Sequence, residues 1–165
     1  MYFDPNIESL AAAHGVQPIG AAQRTIAFSA VASGGTGKLN WTATGHALKK
    51  GQYAYNPAGA YAGIIRVTKI ISANVFQTNG TFGATSSGTL ALSGAGPIFG
   101  FWCDVAPTIA AVEPEAGNID AATLIAMTFV PGTYYPIPCK SIRVTAGNIT
   151  VIPKPPQTDL PYGNR

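Results

Sequence analysis

Charge is the scarcest property of this chain of 165 residues, in which ten Lys and Arg and seven Asp and Glu make up only 10%. An average soluble domain carries about 25%. A free monomer relies on ionised side chains to stay dispersed, so the shortage predicts a surface partly covered by other chains. The basic residues are scattered, with no cluster beyond Lys49-Lys50, which excludes the basic stripe of a nucleic-acid-binding protein. No apolar run approaches the length of a membrane span. The opening residues Met1-Tyr-Phe-Asp-Pro lack the basic and apolar regions of a secretory leader, so the expectation is a protein made and kept in a cytoplasm.

Catalytic chemistry is equally thin. There are two histidines, His14 and His46, and neither has a Cys, Asp or Glu at ligand or triad spacing. The nucleophile-elbow, CxxC and HExxH patterns are missing. The seven acids are too dispersed for a glycosidase pair. Glu113, Glu115 and Asp120 form the only acidic concentration, and their spacing follows no known cation loop. The reading is therefore not an enzyme, with no cofactor and no metal. Gly34-Gly35-Thr36-Gly37-Lys38 looks like a phosphate loop but fails: Ala32 stands where the first glycine belongs and Leu39 where the magnesium-binding hydroxyl belongs, which leaves a hairpin turn. Cys103 and Cys139 lie in apolar β-like runs and read as buried free thiols, with a disulfide between them as the alternative.

What the chain has is β-signal punctuated by glycine and proline. Residues 25–33 alternate apolar and small polar side chains and meet residues 39–44 across the glycine turn as a hairpin. Residues 63–76 form the longest run, apolar on both faces, which predicts a central strand. Residues 88–94 and the aromatic run 98–105 add two more strands, with Trp102 expected in the core, and residues 107–122 read as a connection. Two β-runs, 123–130 and 139–152, flank Pro131-Gly132, Pro136 and Pro138, as a strand, a wide corner and a returning strand. In the return, Ile142, Val144, Ile149 and Val151 alternate with Lys140, Arg143 and Thr150, with a turn at Gly147-Asn148 between them. The predicted fold is all-β, an antiparallel β-sandwich or jelly roll over residues 21–152. A short N-terminal helical arm (1–20) precedes it, with Asp4 as N-cap and Pro5 at the first helical position. An extended Pro-rich C-terminal tail (153–165) follows, too rich in proline for helix or inner strand.

Apolar side chains on segments that cannot join the core are the candidate contact residues: Tyr2, Phe3 and Ile7 in the arm, Tyr53, Tyr55 and Tyr61 in a loop spanning 49–61, and Leu160 and Tyr162 in the tail. Tyrosines on such a loop offer large contact area at low entropic cost. The same tyrosines, with Trp41, also suit a carbohydrate- or receptor-binding module.

The phrase Pro131-Gly-Thr-Tyr-Tyr-Pro-Ile-Pro-Cys-Lys-Ser-Ile-Arg-Val-Thr-Ala-Gly-Asn-Ile-Thr-Val-Ile152 resembles the strand, aromatic corner and strand of tailed-bacteriophage virion structural proteins, of the capsid decoration (cement) or spike and head-fibre base type. It covers about a quarter of the chain and transfers no catalytic residue. The resemblance implies a β-domain, often a homotrimer, that sits on the major capsid protein or another virion protein, cementing the shell or anchoring a fibre. Its place would be the virion, assembled in a host cytoplasm; a baseplate or tail-adaptor role differs only in position on the particle.

Overall fold

The computed structural model describes residues 11–12, 15–20, 24–115, 117 and 119–155. Among these the chain is almost entirely β, with twelve strands and one six-residue helix. Both sheets are built from antiparallel pairs. Where the sequence suggests a single β-domain over 21–152, the chain divides into two compact units, Ala22–Gly94 and the combination of Met1–Ala21 with Ala95–Arg165. Of the expected N-terminal helix only Ala11 and Ala12 are described, both helical; the tail beyond Pro155 lies outside the described residues.

The unit Ala22–Gly94 holds β2 (Thr25–Phe28), β3 (Ala30–Ser33), β4 (Lys38–Thr42), β5 (Tyr53–Asn56), β6 (Gly63–Ser72), β7 (Val75–Asn79) and β8 (Gly88–Ala91). They form a sheet in the order β2-β8-β5-β6-β7-β4-β3. The run expected as one strand over 25–33 is therefore broken at Ser29 into the two end strands of that order. One residue spans at most about 7 Å between its neighbours, so the sheet must roll until its two ends approach. The Ser29 amide donates to the Thr42 carbonyl at 2.8 Å where they do. β6 lies in mid-sheet, as its two-faced apolar pattern predicts.

Inside the roll, Trp41 is fully buried. It packs edge-on to Phe28 (ring centroids 4.9 Å apart) and stacks on Phe76 (6.0 Å). Its indole N–H donates to Thr78 Oγ1 at 2.9 Å, which satisfies a polar group that burial would otherwise penalise. Ile26, Val31, Leu39, Val67 and Leu90 complete the core. Most come from alternate positions of short strands, the periodicity that makes one face of each strand apolar.

The other unit joins β1 (Gln17–Gly20), β9 (Gly94–Ala95), β10 (Ile98–Pro114), β11 (Tyr134–Tyr135) and β12 (Cys139–Pro153), with the helix α1 (Ala121–Ala126). Its sheet order is β1-β12-β10-β11, with β9 also on β12. β10 and β12 are 17 and 15 residues long. Their partners run in opposite order, Gly100 beside Ile152, Ile109 beside Val144 and Pro114 beside Cys139, so the ribbon is antiparallel along its length. Ile98 meets both Pro153 and Cys139, the two ends of β12. Such a double match requires the ribbon to curl back on itself.

Four further expectations change here. Residues 107–122 are not a connection throughout, because β10 continues to Pro114 with Ile109 buried against β12. Pro107, which has no N–H for a ladder, lies at an irregularity between Val105 and Thr108, where proline is tolerated. Residues 123–130 are not a strand: α1 starts there because the Asp120 side chain accepts from the Thr123 amide at 3.0 Å and caps an Ala-rich segment. Gly147-Asn148 is a bulge within β12 rather than a turn. The buried positions Ile142 and Val144 are even and Ile149 and Val151 odd, and that change of phase needs one extra residue in the strand. Trp102, expected in the core, is only half-buried.

Candidate interaction surfaces

The tyrosine run expected as a loop over 49–61 is partly strand β5, and this decides what its side chains can do. Tyr53 is 2% exposed, with the Arg66 guanidinium 5.9 Å from its ring centre. Burial pushes its hydroxyl pKa up, against the opposing charge of Arg66. Tyr55 is half-buried on the same strand. Tyr61 is also half-buried and works as a brace: its hydroxyl donates to the Ala84 carbonyl (2.6 Å) and accepts from the Gly83 and Ala84 amides (3.1 Å each), while its ring meets Trp41 edge-on at 5.8 Å. Exposure, the property that nominated these residues, is lost outright at Tyr53 and at Trp41. The four rings do not form an open stacking platform for a sugar. Tyr2, Phe3, Ile7, Leu160 and Tyr162 lie outside the described residues.

The three neighbouring acids are committed to structure. Glu113 pairs with Lys140 at 3.0 Å and Glu115 with Lys154 at 2.6 Å, while Asp120 caps α1. Three separate partners hold the three acids, and no group of metal-ligating side chains occurs among the described residues. The glycine turn closes a hairpin, with Gly34 N–H to Lys38 O at 2.9 Å and Lys38 N–H to Gly35 O at 3.1 Å. Cys103 and Cys139 are both buried and both free. Burial pushes the Cys139 thiol up to about 11 and the Cys103 thiol up as well, so neither is a thiolate nucleophile near neutral pH. His46 is buried and held at both ring nitrogens. Nδ1 accepts from the Leu48 amide at 3.0 Å, which leaves Nε2 as the protonated nitrogen facing the Ser72 carbonyl at 3.1 Å.

The surface of the described residues also carries exposed apolar side chains and a groove. Val16, Val105, Ile119, Ile125 and Val130 are exposed on one unit, and Ile70, Ile71 and Phe82 on the other. In the first unit, Trp102 and Tyr134 stand half-buried with ring centres 5.0 Å apart. A side chain at Gly100 would collide with the Tyr134 ring and hydroxyl. The aromatic corner behind them packs Phe101, Phe129 and Tyr135 at 5.0–5.5 Å. The Tyr135 hydroxyl accepts from the Val130 amide at 2.8 Å, tying the loop after α1 to β11.

The groove lies in the unit Ala22–Gly94, at the seam of the rolled sheet. Past Thr42 the chain turns away from β2: the Ala43 amide donates to Asn74 O (2.8 Å) and the Gly45 amide to Asn74 Oδ1 (3.0 Å). Among the described residues β2 is thus paired with β8 on one side only. A cavity of about 320 Å³ runs beside it, lined by Arg24, β2, Ser29, Thr44 and Gly45. One end is closed by the bond from Ser29 to Thr42, the other by the Arg24 guanidinium on the His46 carbonyl. The sequence carries a signal of this opening only in Ser29, a small polar residue interrupting an apolar run.

Comparison with protein-family models, curated proteins and solved structures found no match for this chain.

Proposed function

We propose that this chain is a non-enzymatic structural protein of a bacteriophage virion, a capsid decoration or fibre-base subunit that works in several copies and docks through its surface and its two ends. The observation that carries this reading is the surface itself. Among the described residues eight large apolar side chains are exposed, on a chain with only 17 charged residues, ten basic and seven acidic. Scattered exposed apolar residues are ordinary on their own. Combined with so little charge, they fit a molecule whose solubility comes from being covered. The commitment of Glu113, Glu115, Asp120 and His46 to structural bonds supports a scaffold rather than a catalyst. The curled β10–β12 ribbon and its aromatic corner give the segment that resembles virion proteins a rigid body, and a β-sandwich or jelly-roll description of the whole belongs to the same proposal.

The test is to band particles made from a genome carrying this gene and to quantify the chain by mass spectrometry, alongside light scattering of the purified protein. Copies in stoichiometric number, and more than one chain per soluble particle, are the expected results. Deleting residues 156–165 should remove the chain from particles while near-ultraviolet circular dichroism stays native. Absence of the intact chain from banded particles overturns the assignment.

A further inference from the structure

Every acidic side chain of this protein belongs to one of its two units. Ala22–Gly94 holds six basic residues and no acidic one, whereas the other unit holds four basic and all seven acidic residues. The formal charges are +6 and −3, which together make the +3 of the whole chain. An average domain carries charge on about a quarter of its residues, so a unit without one carboxylate side chain has no counter-charge of its own. Neither ion pair among the described residues involves it.

The fold gathers cations that the sequence scatters. Leu39 and Trp41 of β4, Val67 of β6 and Phe76 of β7 face the core, so Lys38, Asn40, Arg66 and Gln77 lie on the opposite face of those strands. Across that face Gln77 donates to Asn40 at 3.0 Å, and it stands beside Lys69 in the ladder. The turn carrying Lys49 and Lys50 is bound to β6 at Val67, by Gly51 N–H to Val67 O and Val67 N–H to Gln52 O, both 2.8 Å. Lys38, Lys49, Lys50 and Lys69 are all exposed. Ile70 and Ile71 follow Lys69 along β6 and are exposed as well.

We infer that this basic face docks on the acid-bearing unit of a second copy, head to tail. Two basic faces repel one another, so a two-fold contact through this face is disfavoured. The carboxylates that answer it, exposed Asp104, Glu113 and Asp120 among them, stand only on the other unit. Repetition of the contact closes a ring or extends a row of copies. Ile70 and Ile71 supply area that loses water, while the charges orient the approach. The inference rests on the reading of the chain as a multi-copy subunit, which supplies the second copy.

The experiment is carbodiimide coupling of lysine to carboxylate in the full chain, read by peptide mass spectrometry. Isotope-labelled and unlabelled chains are first unfolded together in urea and refolded. Residues 22–94 contain no acidic side chain, so links from Lys38, Lys49, Lys50 or Lys69 to Asp or Glu must end on the other unit. Links joining a labelled to an unlabelled peptide are expected, and about 0.5 M salt should suppress them, because screening then acts within the ~10 Å reach of charges at 0.1 M. Lys38→Glu with Lys69→Glu should weaken self-association about tenfold by sedimentation velocity, with unchanged near-ultraviolet circular dichroism. Links confined to peptides of one label, or none at all, overturn the proposal. So does a wild-type chain that holds duplex DNA or anionic vesicles at about 0.15 M salt and forms no mixed-label link. Light scattering of the unmodified protein separates the two levels: a multi-copy protein without mixed-label links sinks the head-to-tail contact alone, whereas a monomer sinks the multi-copy reading with it.

Discussion

Gly147 is the residue at which the long ribbon is most sensitive. Its φ of 67° is one that side chains other than glycine seldom adopt, and a Cβ there would collide with the Val105 and Ala106 carbonyl oxygens. Gly147→Ala should therefore lower stability by about 1–3 kcal/mol, read from the midpoint of urea unfolding. Thr78→Val makes a different test, because the shape is kept and only the acceptor for the Trp41 indole is lost. Leaving that donor buried and unpaired should cost about 1–3 kcal/mol, with a change in the near-ultraviolet tryptophan signal. The thiol of Cys139 bears on pH. Its pKa is raised from 9.0 to about 11 by burial, so between these values the folded chain holds a proton that the unfolded chain has released. The resulting stability is complete below pH 9 and is lost as pH rises toward 11, at up to about 1.4 kcal/mol per pH unit. Denaturant midpoints from pH 8 to 11 should fall accordingly, and less steeply in Cys139→Ala.

At the scale of elements, α1 shows how a cap can override a β-rich composition. Thr123 and Ile125 favour strand taken singly, yet Asp120 accepts from both the amide and the hydroxyl of Thr123, and Leu124 turns inward to full burial. The same bonds hold the Asp120 carboxyl below its usual range, the Thr123 hydroxyl contributing most. The capping stability is thus present above the unfolded carboxylate pKa and is lost as pH falls through the lower folded value. Asp120→Ala should lower the melting temperature slightly at pH 7 and leave it unchanged at pH 2, measured by calorimetry. β5 teaches the complementary lesson. Its Gly, Ala and Asn flanks look like loop, but Tyr53 pairs with Arg66 and Tyr55 with Ile64 across β6, and pairing rather than composition made the strand.

At the scale of the whole molecule, the unit Ala22–Gly94 is one continuous stretch of chain with a closed set of core contacts around Trp41, whereas the other unit needs both ends of the chain, since β1 pairs with β12. Residues 22–94 expressed alone should fold, with dispersed amide resonances and a melting temperature below that of the full chain, because a domain of this size buries only about 60% of its surface. Residues 95–165 alone should not reach a native spectrum, since they leave the β1 side of β12 unpaired. Two-dimensional NMR of the two fragments decides both statements.

The sequence by itself determined the class of fold and much of its interior. Alternation at Ile26 and Phe28, at Leu39 and Trp41, and at Ile142 and Val144 encodes a buried face locally, and glycine and proline mark where strands bend or stop. The glycine turn at 34–37 and the return over 139–152 were legible for the same reason. Only the tertiary structure decided that one chain makes two units, that Tyr53 and Trp41 face inward while Trp102 is half out, and that β2 stands at one end of the strand order, on β8. Each of these depends on which strand lies beside which, a long-range pairing that a local pattern does not carry.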